Sequence, residues 1–375
     1  MKLSRLIISP TIFVSPNHVW RIKSNGYNTR CGNFSTLFRY KKLINKRVLV
    51  TGGAGFIGSE IVRQLSYSGA KIIVFDNYSS GRKKYLEGVT NISQVKGSIT
   101  NRRQVNDIVK KADYIINLAA LPFIPDSYYY PNEFFKVNTE GTINLVTAII
   151  KSKRLKMFVH ISTSEVYGSA KTIPMSEDHP TLPQSTYAAS KLAGERAVFT
   201  LHKEHNFPAV IIRPFNSYGP RITQPYIIPE IINQVLHRKD KIKLGNIESF
   251  RDFTYVSDTA RGIISAMVKG SVVGETINIG SNKSYKIKNL VEIIARIIGK
   301  KVGITTDKKR FRPYDVQKLI CDNRKAKKLL GWEPEISIEE GLTRTISWMR
   351  KNTLDFATPF EGWAKTYRMK LDHNE

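Results

Sequence analysis

Tyr187 and Lys191 are the residues of this sequence whose types and spacing point most directly to chemistry. They lie four residues apart in the run Tyr187-Ala-Ala-Ser-Lys191, which on a helix places both side chains on one face. An ammonium group beside a phenol favours the phenolate, so we expect Lys191 to lower the pKa of Tyr187 from ~10 toward the working range. The tyrosine would then act as general base on a substrate hydroxyl while a hydride leaves the same carbon.

Two further candidate side chains stand in the segment Ser162–Gly168. Thr163 is expected at the end of a strand, where its hydroxyl would assist Tyr187, and Glu165 follows two residues later. A carboxylate there supplies a second base, which could remove a proton from a carbon beside a newly formed ketone. The alternative for Glu165 is a structural role, with its carboxylate hydrogen-bonded to the backbone at the strand end.

A glycine cluster follows the apolar run Lys46–Val50 and precedes a helical repeat at Ile57–Ser68. Gly52 would permit a tight turn, Gly55 would let the backbone approach a pyrophosphate, and Gly58 would allow the helix to pack closely on the strand. The N-terminus of such a helix offers N–H groups and a positive dipole to phosphates. This order of strand, glycines and helix predicts a dinucleotide-binding turn.

Asp76 ends the second apolar run, 18 residues beyond Gly58. An acid at this place accepts hydrogen bonds from the ribose hydroxyls of adenosine and repels a 2′-phosphate, which favours NAD over NADP. Arg82 and Lys83 follow closely and would soften that preference. NAD is therefore the predicted cofactor, and Lys191 would also hold its nicotinamide ribose.

Apolar runs and helical repeats alternate along the first part of the chain. Such alternation predicts a parallel sheet with right-handed crossovers and helices on both faces, the doubly wound α/β fold of the Rossmann type. The predicted strands are 46–50, 71–76, 93–97, 114–119, 157–162 and 209–213, and the predicted helices are 57–68, 101–111, 134–151 and 188–204.

Beyond Pro214 the elements become shorter and prolines and charges more frequent. This change indicates a smaller C-terminal α/β substrate-binding domain, which would be interleaved with the sheet because a strand is expected at 275–279. The expected divisions are a basic N-terminal extension at 1–45, an NAD-binding domain at 46–215, a mainly substrate-binding domain at 216–350 and a tail at 351–375.

The composition is that of a globular protein with a strong basic excess. Of 375 residues, 41% are hydrophobic, and 59 Lys and Arg against 31 Asp and Glu give a net charge of +28. That charge invites a nucleic-acid interpretation, but no segment resembles a nucleic-acid-binding module, so no nucleic-acid partner is expected. No apolar run reaches the ~18–20 residues needed to span a bilayer, and no membrane partner is expected. Cys31 and Cys321 lie far apart without metal-ligand spacing, which predicts a reducing compartment and no metal site.

Residues 1–47 contain ten Lys or Arg and no Asp or Glu. An acid-free basic segment with several Ser, Thr and Asn resembles an organelle transit peptide. The alternative is a disordered or lineage-specific extension. We therefore expect the protein in the cytoplasm, with organelle import as the alternative if residues 1–45 are a transit peptide.

Together these motifs resemble the extended short-chain dehydrogenase/reductase family, which acts on nucleotide-diphospho-sugars. The resemblance covers about residues 46–350 and is carried by Thr51–Gly58, Asn117–Ala120, Val137–Thr142, the Tyr187/Lys191 helix and Arg213–Pro220. It implies a homodimer with a four-helix interface, formed by the helices near 134–150 and 188–204.

The same resemblance implies the set of residues that contact NAD. One departure is Ser98, which stands where the family usually has an aspartate near the adenine, so that contact is in doubt. The implied cofactor contacts are Gly52, Gly55, Phe56, Ile57, Gly58, Asp76, Asn77, Ser98, Ile99, Leu118, Ala119, Ala120, Asn138, Ser162, Tyr187, Lys191 and Pro214.

A nucleotide sugar carries a diphosphate, which arginine forks and an amide hold best. Asn216, Arg251 and Arg312 match the family's contacts to the diphosphate and nucleotide. Thr163 would contact the sugar. The expected partner is therefore a nucleotide-diphospho-sugar substrate, with its base and sugar left open.

The family contains 4-epimerases, 4,6-dehydratases, decarboxylases and reductases, so the fold does not choose the reaction. Glu165 favours a 4,6-dehydratase, and the segment is similar to the Thr-Asp-Glu or Thr-Ser-Glu of those enzymes, most closely those acting on N-acetylglucosamine. With Ser164 in place of aspartate, a separate acid for the leaving C6 hydroxyl is missing. UDP-glucuronate decarboxylases also carry Thr-Ser-Glu, but usually have an acidic pair where this chain has Ala188 and Ala189. A 4-epimerase, a decarboxylase and, remotely, a non-catalytic NAD-binding protein remain the alternatives.

Overall fold

The computed structural model describes residues 21–24, 27–30, 41–152, 154–237, 240–311 and 315–352. Most of the extension predicted at 1–45, and nearly all of the tail predicted at 351–375, lie outside the described residues. Within the described ranges, no helix is both long and apolar enough to cross a membrane.

Short strands recur along the whole described part of the chain. In chain order they are β1 (Arg21–Ser24), β2 (Tyr27–Arg30), β3 (Arg47–Thr51), β4 (Lys71–Asp76), β5 (Ile92–Lys96), β6 (Tyr114–Asn117), β7 (Met157–Ile161), β8 (Ala209–Pro214), β9 (Asn216–Tyr218), β10 (Lys241–Leu244), β11 (Phe250–Tyr255), β12 (Thr276–Ile279), β13 (Ser284–Lys286), β14 (Gly303–Thr306) and β15 (Lys318–Leu319).

The helices alternate with these strands. They are α1 (Phe56–Ser66), α2 (Arg102–Val109), α3 (Ile124–Ser127), α4 (Pro131–Phe134), α5 (Gly141–Ser152), α6 (Thr186–His205), α7 (Ile227–His237), α8 (Val256–Val268), α9 (Ile287–Ile298), α10 (Arg324–Leu330) and α11 (Ile338–Lys351).

A seven-stranded sheet forms the centre of the molecule, in the order β12-β8-β7-β6-β3-β4-β5, and each neighbouring pair is parallel. Its strands are apolar on both faces because helices cover both. Val48 and Val50 of β3 face one core with α1 and α8, whereas Leu49 faces the other with α2, α5 and α6. The predicted doubly wound α/β fold is confirmed, and the strand expected at 275–279 is β12, which pairs with β8.

Several predicted element bounds were wrong by a few residues. The strand predicted at 114–119 ends at Asn117, because the Leu118 and Ala119 N–H groups turn to bond Thr51. The helix predicted from 134 begins earlier, at Pro131, and passes through a π-helical turn at Phe135–Glu140 before α5. The helix predicted at 188–204 begins at Thr186, where Ser185 caps it by accepting the N–H of Ala188 at 3.1 Å.

The residues after Pro214 build a second core beside the carboxyl edge of the sheet. Apolar side chains of α7, β10, β11, α9 and α11 pack together there. β11 pairs with β9, β13 and β15, while β10 pairs in parallel with β14. β9 follows directly after sheet strand β8, so this second unit is attached at the edge where the parallel strands end.

Asp258 on α8 joins that helix to the segment after α10. Its carboxylate, 2% exposed, accepts the N–H groups of Glu335 and Ile336, both at 2.9 Å, and Arg261 Nη2 at 2.8 Å. We expect Asp258→Ala to lower the free energy of unfolding by about 3–5 kcal/mol, because buried donors lose their acceptor. Urea unfolding measures this, with the exposed Asp107→Ala on α2 as control. A loss below about 1 kcal/mol would contradict the assignment.

Candidate active site

A cavity of about 390 Å³ lies at the carboxyl edge of the sheet and is lined by residues of both cores. This is the edge at which ligands bind in doubly wound folds. The cavity brings together most of the predicted site residues, namely Gly52, Gly55, Phe56, Ile57, Gly58, Asp76, Asn77, Ser98, Ile99, Leu118, Ala119, Ala120, Ser162, Thr163, Glu165, Tyr187, Lys191, Pro214, Asn216 and Arg251.

The glycine turn between β3 and α1 has the geometry expected of a phosphate cradle. Gly52 has a φ of 67°, which favours glycine. A Cβ on Gly58 would lie 2.2 Å from the Gly52 carbonyl oxygen, so only glycine lets α1 approach the turn this closely. Gly55 stands at the N-cap of α1 without a side-chain cap, which leaves the helix N-terminus open toward the cavity. These features fit the pyrophosphate of a dinucleotide.

Asp76 lines the cavity at the end of β4 and also holds the glycine turn. Its Oδ2 accepts the Ala54 N–H at 2.9 Å and its Oδ1 accepts the Tyr78 N–H at 2.8 Å. Burial raises the pKa of the Asp76 carboxyl, and those two backbone hydrogen bonds oppose the rise. The acid thus stands where the sequence predicted it, at the end of the second sheet strand.

Ser98, the departure from the family pattern, has local partners. Its N–H donates to Gln104 Oε1 at 3.1 Å, and its hydroxyl lies 2.8 Å from the hydroxyl of Thr100. The position is at the cavity wall next to Gly97 and Ile99. Ser98 therefore supplies a hydroxyl, hydrogen-bonded to Thr100, where the family usually has a carboxylate.

Tyr187, Thr163 and Glu165 meet on the cavity wall. Tyr187 lies in the first turn of helix α6 and is hydrogen-bonded to Thr163, which follows β7. Thr163 Oγ1 also accepts the Glu165 N–H at 3.2 Å and so caps the turn Ser164–Tyr167. The Phe134 ring meets the Tyr187 ring edge-on, with centroids 6.4 Å apart. A phenol, a hydroxyl and a carboxylate thus share one face of the cavity.

The structure contradicts the prediction that Lys191 lowers the pKa of Tyr187. Burial raises the pKa of Tyr187 to about 12; the Thr163 hydrogen bond opposes this rise and the Glu165 charge adds to it. Lys191 Nζ donates instead to the Ile161 carbonyl at 2.5 Å. Burial lowers the pKa of Lys191 to about 8, although the Glu195 charge raises it in part. Desolvation is therefore the largest influence on the pKa of both side chains.

Asn138 does not line the cavity, so its predicted contact with NAD is not supported. The side chain is buried, accepts the Leu121 N–H at 2.8 Å and donates to Ser190 Oγ at 2.9 Å. It therefore joins the cavity loop after β6 to helix α6, a role in positioning that loop. The spacing of residues in Val137–Thr142 does not distinguish a contact with NAD from a role in positioning the loop.

Part of the cavity is lined by residues that follow Pro214, on the elements of the second core. Arg251 on β11 pairs with Asp315, with Nη2 and Oδ1 3.1 Å apart, and Asn216 Nδ2 donates to the Asp252 carbonyl. Arg312 lies outside the described residues. The sequence interpretation did not select Arg310, which lines the cavity and forms an ion pair with Glu230 of α7.

Other cavity residues that the sequence reasoning missed include Tyr226, Glu230 and Asp315. Tyr226 donates from its hydroxyl to the Pro122 carbonyl at 3.2 Å, which connects the start of α7 with the loop after β6. A signal for Arg310 was available in the basic run 308–312, where arginines at alternate positions surround Phe311. Glu230 and Asp315 carried no such local signal.

Removal of the Lys191 charge provides a test of its burial. The folded protein binds fewer protons than the unfolded chain between about pH 8 and the ordinary Lys value of 10.5, so its free energy of unfolding should rise with pH in that window. Methionine carries no charge, so the free energy of unfolding of Lys191→Met relative to wild type should be highest near pH 7. This difference should fall by about 3 kcal/mol above the window.

Urea unfolding of both proteins between about pH 7 and about pH 11 measures this difference. Lys203→Met, at an exposed position on the same helix, controls for the removal of a lysine. A difference between wild type and Lys191→Met that is constant across the range would contradict the lowered pKa of the buried lysine.

Comparison with known proteins identifies similar chains of closely related activities. The family model described as GDP-mannose 4,6 dehydratase matches residues 49–345. The dTDP-D-glucose 4,6-dehydratase of Homo sapiens is 32% identical over 82% of this chain and 91% of that protein. The UDP-N-acetyl-alpha-D-glucosaminuronate decarboxylase of Bacillus cytotoxicus is 34% identical over 82% of this chain and 99% of that protein.

Solved structures of similar proteins share the fold. An epimerase of Methanothermobacter thermautotrophicus superposes with a TM-score of 0.80 at 29% identity and covers 85% of this chain and 96% of that chain. A dTDP-glucose 4,6-dehydratase of Bacillus anthracis, in complex with NAD, has a TM-score of 0.73 at 31% identity over 83% of this chain and 98% of that chain. The similar proteins thus include dehydratases, epimerases and decarboxylases.

Proposed function

Since the chain belongs to the GDP-mannose 4,6 dehydratase family of extended short-chain dehydrogenases/reductases, we propose that it dehydrates a nucleotide sugar across C5 and C6. It is an NAD-dependent enzyme of nucleotide-sugar modification. The observation that carries the choice of reaction is Glu165, a carboxylate on the same cavity wall as Tyr187. The product would be a 4-keto-6-deoxy sugar.

In this proposal, Tyr187 removes the proton of the C4 hydroxyl, and its hydrogen bond with Thr163 holds the phenol toward the sugar. When bound, NAD would supply the hydride acceptor needed at C4 and the hydride donor needed at C6. Lys191, buried beside Ile161, would hold the nicotinamide ribose and stabilise the phenolate when it forms. The glycine turn and Asp76 hold the other end of the dinucleotide.

Glu165 takes the proton from C5 once C4 has become a ketone, because the ketone makes that proton acidic. The C6 hydroxyl then leaves as water and needs a proton. Ser164 is buried and carries no acid, so Glu165, with the proton that it received from C5, or a water would protonate the leaving hydroxyl. The overall change is the loss of one water. The sugar undergoes no net oxidation, because the hydride lost from C4 is regained at C6.

The segment between Tyr187 and Lys191 argues against decarboxylation. UDP-glucuronate decarboxylases usually carry an acidic pair there, where this chain has Ala188 and Ala189. Glu165 separates dehydration from epimerisation but not from decarboxylation, because those decarboxylases also carry Thr-Ser-Glu. Epimerisation remains the second candidate, since Tyr187 and Lys191 suffice for it.

The diphosphate of the substrate would be held from the second core. Arg251, at the cavity wall on β11, offers a planar fork of donors that matches phosphate oxygens. Asn216 lies on the neighbouring strand β9, which pairs with β11. Arg312, outside the described residues, remains a predicted third contact.

We expect purified protein incubated with NAD and a nucleotide hexose to give a product lighter by one water, read by mass spectrometry. Loss of carbon dioxide from a nucleotide uronic acid, or an unchanged mass with an inverted C4, would contradict dehydration.

Glu165→Gln should lower dehydration by about 10²–10⁴-fold while the protein still transfers hydride from C4, seen as NADH absorbance. Glu204→Gln, at an exposed position of α6, is the matched control. Full dehydratase turnover in Glu165→Gln would show that the C5 base is another group.

A homodimer through α5 and α6 is a further part of the proposal. Phe135, in the turn leading to α5, is 41% exposed and Ile143 on α5 is 36% exposed, so apolar side chains stand on the surface there. We expect sedimentation equilibrium to give a dimer and Phe135→Glu to weaken it. Val273→Glu, an exposed apolar residue outside both helices, is the control. A monomeric wild type would contradict this interface.

A further inference from the structure

A buried ion pair connects the catalytic helix with the central sheet. Arg213 on β8 donates from Nε to Glu195 Oε2 at 3.0 Å and from Nη2 to Glu195 Oε1 at 2.5 Å. The Arg213 side chain is 4% exposed and that of Glu195 1% exposed. Glu195 stands four residues after Lys191 on α6, one helical turn away. The pair therefore fixes α6, which carries Tyr187 and Lys191, against a strand that ends at the cavity.

Tyr167 extends this pair to the turn that carries Glu165. Its hydroxyl accepts from Arg213 Nη1 at 2.8 Å and donates to Asn278 Oδ1 at 2.7 Å. The Arg213 guanidinium also lies 4.7 Å from the centre of the Tyr167 ring. Tyr167 is the last residue of the turn Ser164–Tyr167, which Thr163 caps. One phenolic hydroxyl thus links the turn to both sheet strands β8 and β12.

None of these four side chains lines the cavity, so none is placed to touch the substrate or the cofactor. Three of these residues are close in the chain to residues of the cavity wall. Tyr167 lies two residues after Glu165, Glu195 lies one turn after Lys191, and Arg213 immediately precedes Pro214 of the cavity wall. The network therefore joins the segments that carry the predicted bases, at a point just behind the cavity.

Stability alone is a weak explanation for such a network. Removing two charges from water costs several kcal/mol per ion, and well-packed apolar residues in their place are often neutral or stabilising. A planar guanidinium with four directed hydrogen bonds, in contrast, fixes distances and angles between the groups it joins. Reacting groups need that accuracy, because a misplacement of about 1 Å can cost ~10²-fold in rate.

We propose that Tyr167 is a positioning residue: through the Arg213–Glu195 pair it sets the placement of Thr163 and Glu165 relative to Tyr187 and Lys191. The assignment rests on the proposed function only in requiring that the enzyme oxidises a nucleotide sugar at C4. It does not depend on whether water is then lost, because Tyr187 and Thr163 act in the first hydride transfer of every candidate reaction.

Tyr167→Phe tests the proposal because it removes one hydroxyl and keeps the ring. We expect kcat, and the rate of NADH formation in a single turnover, to fall about 10–100-fold. We expect KM for the nucleotide sugar and Kd for NAD to stay within about twofold, because the residues predicted to hold both are untouched. Tyr114→Phe, at the opposite end of the sheet on β6, is the matched control with unchanged kcat.

Glu195→Gln is the second variant, since it keeps the size of the side chain and removes its charge. It should show the same loss of kcat with unchanged KM. A folded Tyr167→Phe protein whose kcat is within twofold of wild type would overturn the assignment. So would a loss of kcat that is matched by weaker NAD binding and a lower melting temperature, because a merely structural role predicts that pattern. A wild type that oxidises no nucleotide sugar would overturn the proposed function itself.

Discussion

Parallel pairing brings the carboxyl ends of β3, β4, β7 and β8 to one edge of the sheet, and the whole cavity depends on that constraint. Each strand delivers a different chemical group there. β3 leads into the glycine turn, β4 ends in Asp76, β7 leads to Thr163, and β8 ends in Pro214. Because the register of the ladder sets these positions together, a dinucleotide and a second substrate can lie side by side at this edge.

Desolvation governs the electrostatics of Tyr187 and Lys191. Burial favours the neutral form of each side chain, so it raises the pKa of the phenol to about 12 and lowers the pKa of the ammonium to about 8. Tyr187 is therefore a weaker acid, and Lys191 a weaker base, than the free side chains. If Tyr187 acts as the proposed base, charge brought by the bound ligands would have to lower its pKa.

The net charge of the chain and the charge of the cavity are separate properties. The chain carries +28, yet the described lining residues include Lys191, Arg251 and Arg310 against four carboxylates, Asp76, Glu165, Glu230 and Asp315. Arg251 and Arg310 are held by acids of the second core. In the proposed function, an incoming diphosphate would compete with Asp315 and Glu230 for these arginines, which would favour a strong, bidentate anion.

Local spacing in the sequence was sufficient for the glycine turn, for Asp76, for the Tyr187/Lys191 helix and for the alternation that builds the parallel sheet, because each depends on residues near one another in the chain. Tertiary structure alone decided the partners across long separations. It placed Asn138 behind the cavity, paired Arg310 with Glu230, and turned Lys191 toward the Ile161 carbonyl. Spacing along the chain fixes which face of an element a side chain occupies, whereas burial and the partner it meets depend on how the elements pack.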